Sequence, residues 1–120
     1  MPNLNAALGC AQLENLASFV KNKRALHQHY ANELSPDRYT LAEEQTHCRS
    51  NYWLNTLVLQ DSDQRDLFLE QTNEAGVMTR PVWRLLNELS MYRECETDSL
   101  ANARWLQERL VNIPSSVTIK

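Results

Sequence analysis

The sequence predicts an α+β fold: a long N-terminal helix and further helices packed on a small, mainly antiparallel sheet of about three strands. Three observations carry this. Residues 4–34 repeat apolar side chains at spacings of three and four. The run from Asn51 to Trp83 reads as strand, helix, strand. A short extended piece, Tyr39-Thr40-Leu41, precedes that run and is expected to pair antiparallel with Trp53–Leu59. A chain of 120 residues is expected to form one domain, 1–120.

In the first helix Leu16, Val20, Lys23, His27, Tyr30 and Leu34 form the stripe, widened by Leu13, Phe19 and Leu26. At 1.5 Å per residue it is about 45 Å long. Ser35-Pro36 stops it, because proline disfavours helix in the residue before it. Its two ends differ. The outer face after Glu14 carries Lys21, Lys23, Arg24 and Glu33, whereas MPNLNAALGCAQL has no charged side chain. A helix start apolar or small on nearly every side requires burial all round, which one small sheet cannot supply. Leu4, Ala7, Leu8, Ala11, Leu13 and Leu16 are therefore expected to form an interface. Its partner is a second copy of the chain or a further domain.

Within Asn51–Trp83, Leu57-Val58-Leu59 is apolar on both sides, which predicts a central strand covered on both faces. Asp61 or Ser62 caps the next helix and Gly76 ends it, since the residue past a helix often has positive φ. The second strand is expected to end near Pro81 or lie at an edge, because proline cannot donate to a ladder. Residues 84–97 read as loop with a helical turn at Leu85, Leu86 and Leu89. Thr97 or Asp98 is expected to cap a last helix running through Val111, with Leu100, Ala103, Leu106 or Gln107, and Leu110 as its stripe and Pro114 closing it. Val117-Thr118-Ile119 is expected as a frayed strand or tail.

Composition narrows the function classes. A net charge of −3 with no basic cluster leaves no footprint for nucleic acid or a membrane surface. No apolar run approaches the ~20 residues of a bilayer span, and no signal-peptide pattern is present, so a cytoplasmic location is expected. Cys10, Cys48 and Cys95 are far apart and odd in number, which points to buried or idle thiols. With only Gly9 and Gly76, no glycine-rich phosphate loop can be built.

Most chemical motifs are weak. Ser18-Phe19-Val20-Lys21 matches S-x-x-K without its partner motifs, and Lys21 reads as a solvated charge. His27 and His29 point to different sides of a helix, and His47-Cys48 lacks further ligands, so no metal site is expected. His27 belongs to the packed stripe. The acidic pairs Glu43-Glu44 and Glu94/Glu96 read as solvated surface. Arg80 and Trp83 stand apart: a guanidinium pairs bidentately with phosphate or carboxylate, and an indole can stack on a sugar or base. The competing reading is a structural salt bridge and a core tryptophan.

The words MPNLNAALGCAQLENL, SNYWLNTLVL, EAGVMTRPVWRLLNEL and NIPSS, in this order along the whole chain, resemble the C-terminal part of the DegT/DnrJ/StrS family. These are pyridoxal-phosphate-dependent aminotransferases acting on nucleotide-linked keto sugars. The resemblance implies the small C-terminal domain of a fold-type I aminotransferase. It implies burial of the uncharged helix start near the large domain and the dimer partner. It also implies that Thr79, Arg80, Pro81 and Trp83 lie close to the sugar-nucleotide pocket. The matched region begins well inside the family sequence. The Schiff-base lysine, the pyridinium aspartate and the phosphate-holding loop fall outside it, and Lys21, Lys23 and Lys120 do not occupy the lysine's position. Hence no catalytic or cofactor-binding residue is expected in this chain, and transamination by it alone is not. The partners implied are a second copy or a full-length aminotransferase, with a sugar nucleotide at Thr79, Arg80 and Trp83. The alternative is a non-enzymatic protein that self-associates or docks through the apolar start of its first helix.

Overall fold

A computed structural model describes residues 2–117. Helix α1 (Asn3–Glu33) is followed by β1 (Thr40–Leu41), β2 (Asn55–Val58), α2 (Ser62–Glu74), β3 (Arg80–Pro81), two 3-10 turns (Leu86–Glu88 and Ser90–Tyr92), α3 (Ala101–Gln107) and β4 (Leu110–Ile113). The strands form one antiparallel sheet in the order β1-β2-β4-β3. The α+β class stands, with a fourth strand beyond the three expected. Of the expected tail, Val117 is irregular, and Thr118 and Ile119 lie outside the described residues. No helix among the described residues is long and apolar enough to cross a membrane.

Each helix end has a local cause. Leu34 leaves α1 in extended conformation two residues before Pro36. Asp61 caps α2 by accepting a bond from the Gln64 N–H at 2.8 Å. At its other end Gly76 has φ +77, while the Gly76 N–H reaches Asn73 O at 3.0 Å and the Val77 N–H reaches Thr72 O at 2.8 Å. These two bonds satisfy carbonyls that a helix end otherwise leaves unpaired.

The last helix is a correction. It ends at Gln107, and Leu110 and Val111, expected at its end, belong to β4. The helical spacing of Leu100, Ala103, Leu106 and Leu110 hid a second pattern. Val111 and Ile113 are buried while Leu110 and Asn112 are half-buried, which is the period-two signature of a strand. Neither expected cap, Thr97 or Asp98, caps α3; Asp98 instead accepts a bond from the Leu100 N–H at 2.8 Å, one residue ahead of it.

The core lies on one face of the sheet. Leu57, Leu59, Val111 and Ile113 are buried, and Tyr30 and Leu34 of α1, Phe68 and Leu69 of α2, Tyr39 and Leu41 pack against them. The register places Leu57 opposite Val111 and Asn55 opposite Ile113, so inward side chains meet in pairs. Coverage on both faces, expected for β2, is not found. Thr56 and Val58 are half-buried, and Thr56 Oγ1 donates to Asn112 Oδ1 at 2.8 Å on the open face. A half-open antiparallel sheet tolerates such polar pairs, because one of its faces meets water.

Candidate functional site

Two regions hold the polar groups of interest. The first joins the second half of α1 to the sheet. His27 is buried and its Nδ1 lies 2.9 Å from Asn55 Oδ1. Amide oxygen only accepts, so Nδ1 carries the proton. The Asn55 backbone N–H donates to Ser115 Oγ at 2.7 Å, and Ser115 Oγ–H donates to Ile113 O at 2.7 Å. Each hydroxyl and amide atom in this relay has a partner, as buried polar groups require. The Tyr52 ring stacks on His27 with centroids 3.8 Å apart. Tyr52 has φ +46, and its backbone is held by the Ser50 hydroxyl, which accepts from the Tyr52 N–H at 3.0 Å. Lys23 Nζ donates to Ser115 O at 2.6 Å and to Trp53 O at 3.0 Å. Tyr30 donates to Pro114 O at 2.9 Å, and burial raises its phenol pKa.

Arg24 continues this region outward. It forks onto Glu44, Nη1 to Oε2 at 2.8 Å and Nη2 to Oε1 at 3.1 Å, and Nη1 also reaches Ser50 O at 2.6 Å. Its guanidinium lies 5.2 Å from the Tyr52 ring centroid. The Arg24 hydrogen bonds and the Ser50 backbone N–H pull the Glu44 carboxyl down to about 2. Glu44 is therefore a clasped anion, not the solvated one expected, and the shift runs opposite to what a general acid needs.

The second region contains the residues singled out from the sequence. Thr79 is buried; its Oγ1 lies 2.6 Å from Thr72 Oγ1 and accepts from Asn73 Nδ2 at 3.0 Å, so it ties β3 to α2. Arg80 faces Asn112 across the ladder, on the open side of the sheet with Thr56. Its Nη2 lies 3.2 Å from Met78 Sδ. Trp83 is 84% exposed. Trp83 thus does not fill the core, and Arg80 makes no ion pair among the described residues. The structure sets Arg80 and Trp83 on one exposed segment and turns Thr79 inward beneath them.

The six expected interface residues lie on the half of α1 that leaves the sheet. Leu4 is 80%, Leu8 61%, Leu13 68% and Leu16 50% exposed, and Ala7 and Ala11 are exposed as well. Apart from Ala6, α1 becomes half-buried only from Phe19 onward. The three cysteines are free and exposed, so they are not the buried thiols that were one expectation.

A pyridoxal phosphate needs a lysine free to bond it. Lys23 is spent on two carbonyls, and Lys21 is exposed. Neither fits that role.

The fold so built matches one part of longer solved chains. The crystal structure of the aminotransferase TlmJ from Streptoalloteichus hindustanus superposes with a TM-score of 0.84 at 24% identity, over 96% of this chain and 31% of that one. The model of the DegT/DnrJ/EryC1/StrS aminotransferase family matches residues 1–120, and the chain belongs to this family. GDP-perosamine synthase of Vibrio cholerae is 28% identical over 118 residues, 96% of this chain and 32% of the relative. EpsN of Bacillus subtilis strain 168, named as a pyridoxal phosphate-dependent aminotransferase, is 29% identical over 93 residues, 77% of this chain and 24% of its own. The chain spans about a third of the length of curated relatives such as this synthase.

Proposed function

We propose that the chain is the sugar-nucleotide-facing, non-catalytic third of a DegT-type aminotransferase, a single domain that acts in the cytoplasm and does not transaminate by itself. The observation that carries this reading is the exposed first half of α1, uncharged as far as Leu13, in a chain spanning a third of its relatives. Leu4, Ala7, Leu8, Ala11, Leu13 and Leu16 would seat against the cofactor-binding portion of a family member. Arg80 would pair with the diphosphate of a sugar nucleotide and Trp83 would stack on its sugar or base, with Thr79 holding their strand. The test is spectroscopic. Incubated with pyridoxal phosphate, an amino donor and a nucleotide-linked keto sugar, the purified chain should show no borohydride-reducible imine band and no turnover. Either signal from the chain alone overturns the reading. Calorimetry with a UDP-sugar examines Arg80 and Trp83, and an absence of heat at millimolar ligand removes that part.

The same exposed leucines favour a second reading, self-association without enzymatic work. Large exposed apolar surfaces are rarely left bare on soluble monomers. Sedimentation separates the two: a clean monomer at high micromolar concentration excludes the homodimer.

A further inference from the structure

A cleft of about 560 Å³ opens between the middle of α1 and the loop before β2, lined by Ala17, Val20, Lys21, Arg24 and Arg49. Three of these five residues are cations, in a chain whose net charge is −3. One carboxylate, Glu44, sits behind them. It already accepts two Arg24 N–H bonds and the Ser50 N–H, so its lone pairs face inward. Three cations against one carboxylate leave the cleft two positive charges in excess. Arg24 is fixed from behind by Glu44, by Ser50 O and by the Tyr52 ring, while its Nε–H and second Nη2 hydrogen form no bond among the described residues. Lys21 and Arg49 are exposed and form no hydrogen bond or ion pair among those residues. Glu14 lies on the same side of α1, two turns earlier. That is about 10 Å along the axis, a full screening length at physiological salt.

We propose that this cleft binds a phosphate-type dianion, held by Lys21, Arg49 and the unspent donors of Arg24. The charge of such a group matches the excess. Its tetrahedral oxygens accept donors from several directions, which suits one planar fork that is preset and two exposed cations. Fixing Arg24 in advance lowers the side-chain ordering that binding costs. The apolar floor of Ala17 and Val20 has room for the carbon part of an ester. Inorganic phosphate and a nucleoside diphosphate share this chemistry. The site is separate from Arg80 and Trp83 and does not rest on the reading given to them.

The experiment is a nitrogen-15 NMR titration of the full chain near neutral pH, with ionic strength held constant by chloride. Sodium phosphate is added in one arm and uridine diphosphate in the other. Saturable shifts are expected at the amides of Ala17, Lys21, Arg24, Arg49 and Ser50. Tighter binding of uridine diphosphate at these amides identifies an ester as the better ligand, and equal binding identifies the phosphate group alone. Lys21→Gln with Arg49→Gln should weaken binding about tenfold or more. Lys21→Arg with Arg49→Lys should retain it, and Arg93→Gln, an exposed cation elsewhere, should leave it unchanged. The proposal is overturned if these amides show no saturable shift, or if the charge-removing pair binds as the parent does. Shifts confined to Arg80 and Trp83 would overturn it while supporting the sugar-nucleotide reading of that segment.

Discussion

Glu44 shows how a single residue acquires a role that its sequence neighbours do not announce. Beside Glu43 it reads as one of two solvated acids; in the structure Arg24 and the Ser50 N–H hold its carboxyl near 2, against an ordinary 4.5. A folded value below the unfolded one means that the unfolded chain binds the proton more readily. The stabilisation is then complete above about pH 4.5 and drains as pH falls toward 2. Glu44→Gln should therefore melt below the parent at neutral pH, and the gap should close as the pH is lowered through that window. Melting curves followed by circular dichroism at a series of pH values check this. The pair is partly open to solvent, so a large loss is not expected.

His27, Asn55 and Ser115 make a second residue-scale case. Asn55 is buried on the core face of a strand, where an apolar side chain would be usual. It is tolerated because its own amide atoms and the Ser115 hydroxyl are matched. Ser115→Ala leaves the Asn55 N–H without its acceptor and should cost about 1–3 kcal/mol in urea denaturation. His27→Ala and Asn55→Ala should be coupled in a double-mutant cycle by about 0.5–3 kcal/mol, whereas additivity would show that the relay does not act as a unit.

At the scale of elements, β4 governs the sheet. It lies between β2 and β3, so without it β3 has no neighbour. Its Val111 and the facing Leu57 are the most enclosed apolar side chains, at 0% and 1% exposure. Leu57→Ala should cost about 2–5 kcal/mol, because the facing strand and the helices above cannot fully close the space. Asp61→Ala should cost only about 1 kcal/mol, the loss of one helix cap. The same denaturation series measures both, and the order of the two values is the prediction.

Taken whole, the molecule has one finished half and one unfinished half. From Phe19 onward α1 is bonded to β2 by His27 and to the segments flanking β2 and β4 by Lys23, Arg24 and Tyr30. Before it, four turns of helix stand clear with their leucines exposed. If these leucines drive association, Leu8→Glu with Leu13→Glu should shift sedimentation to the monomer and leave the melting temperature nearly unchanged, since neither side chain touches the core. A large fall in stability with unchanged mass would place those leucines inside the fold.

Local chemistry was legible in the sequence wherever its cause is local. Proline stops α1, Asp61 and Gly76 bound α2, and the apolar run at Leu57 marks an inner strand, because each effect acts within a few residues. Arg80 and Trp83 were also legible as outliers in type, and so was the uncharged start of α1. The tertiary structure alone decided three things: β4, the single covered face, and the relay through Ser115. Each depends on pairing across dozens of residues, as between Asn55 and Ser115, and a helical spacing of leucines carries no trace of which strand will later lie beside them.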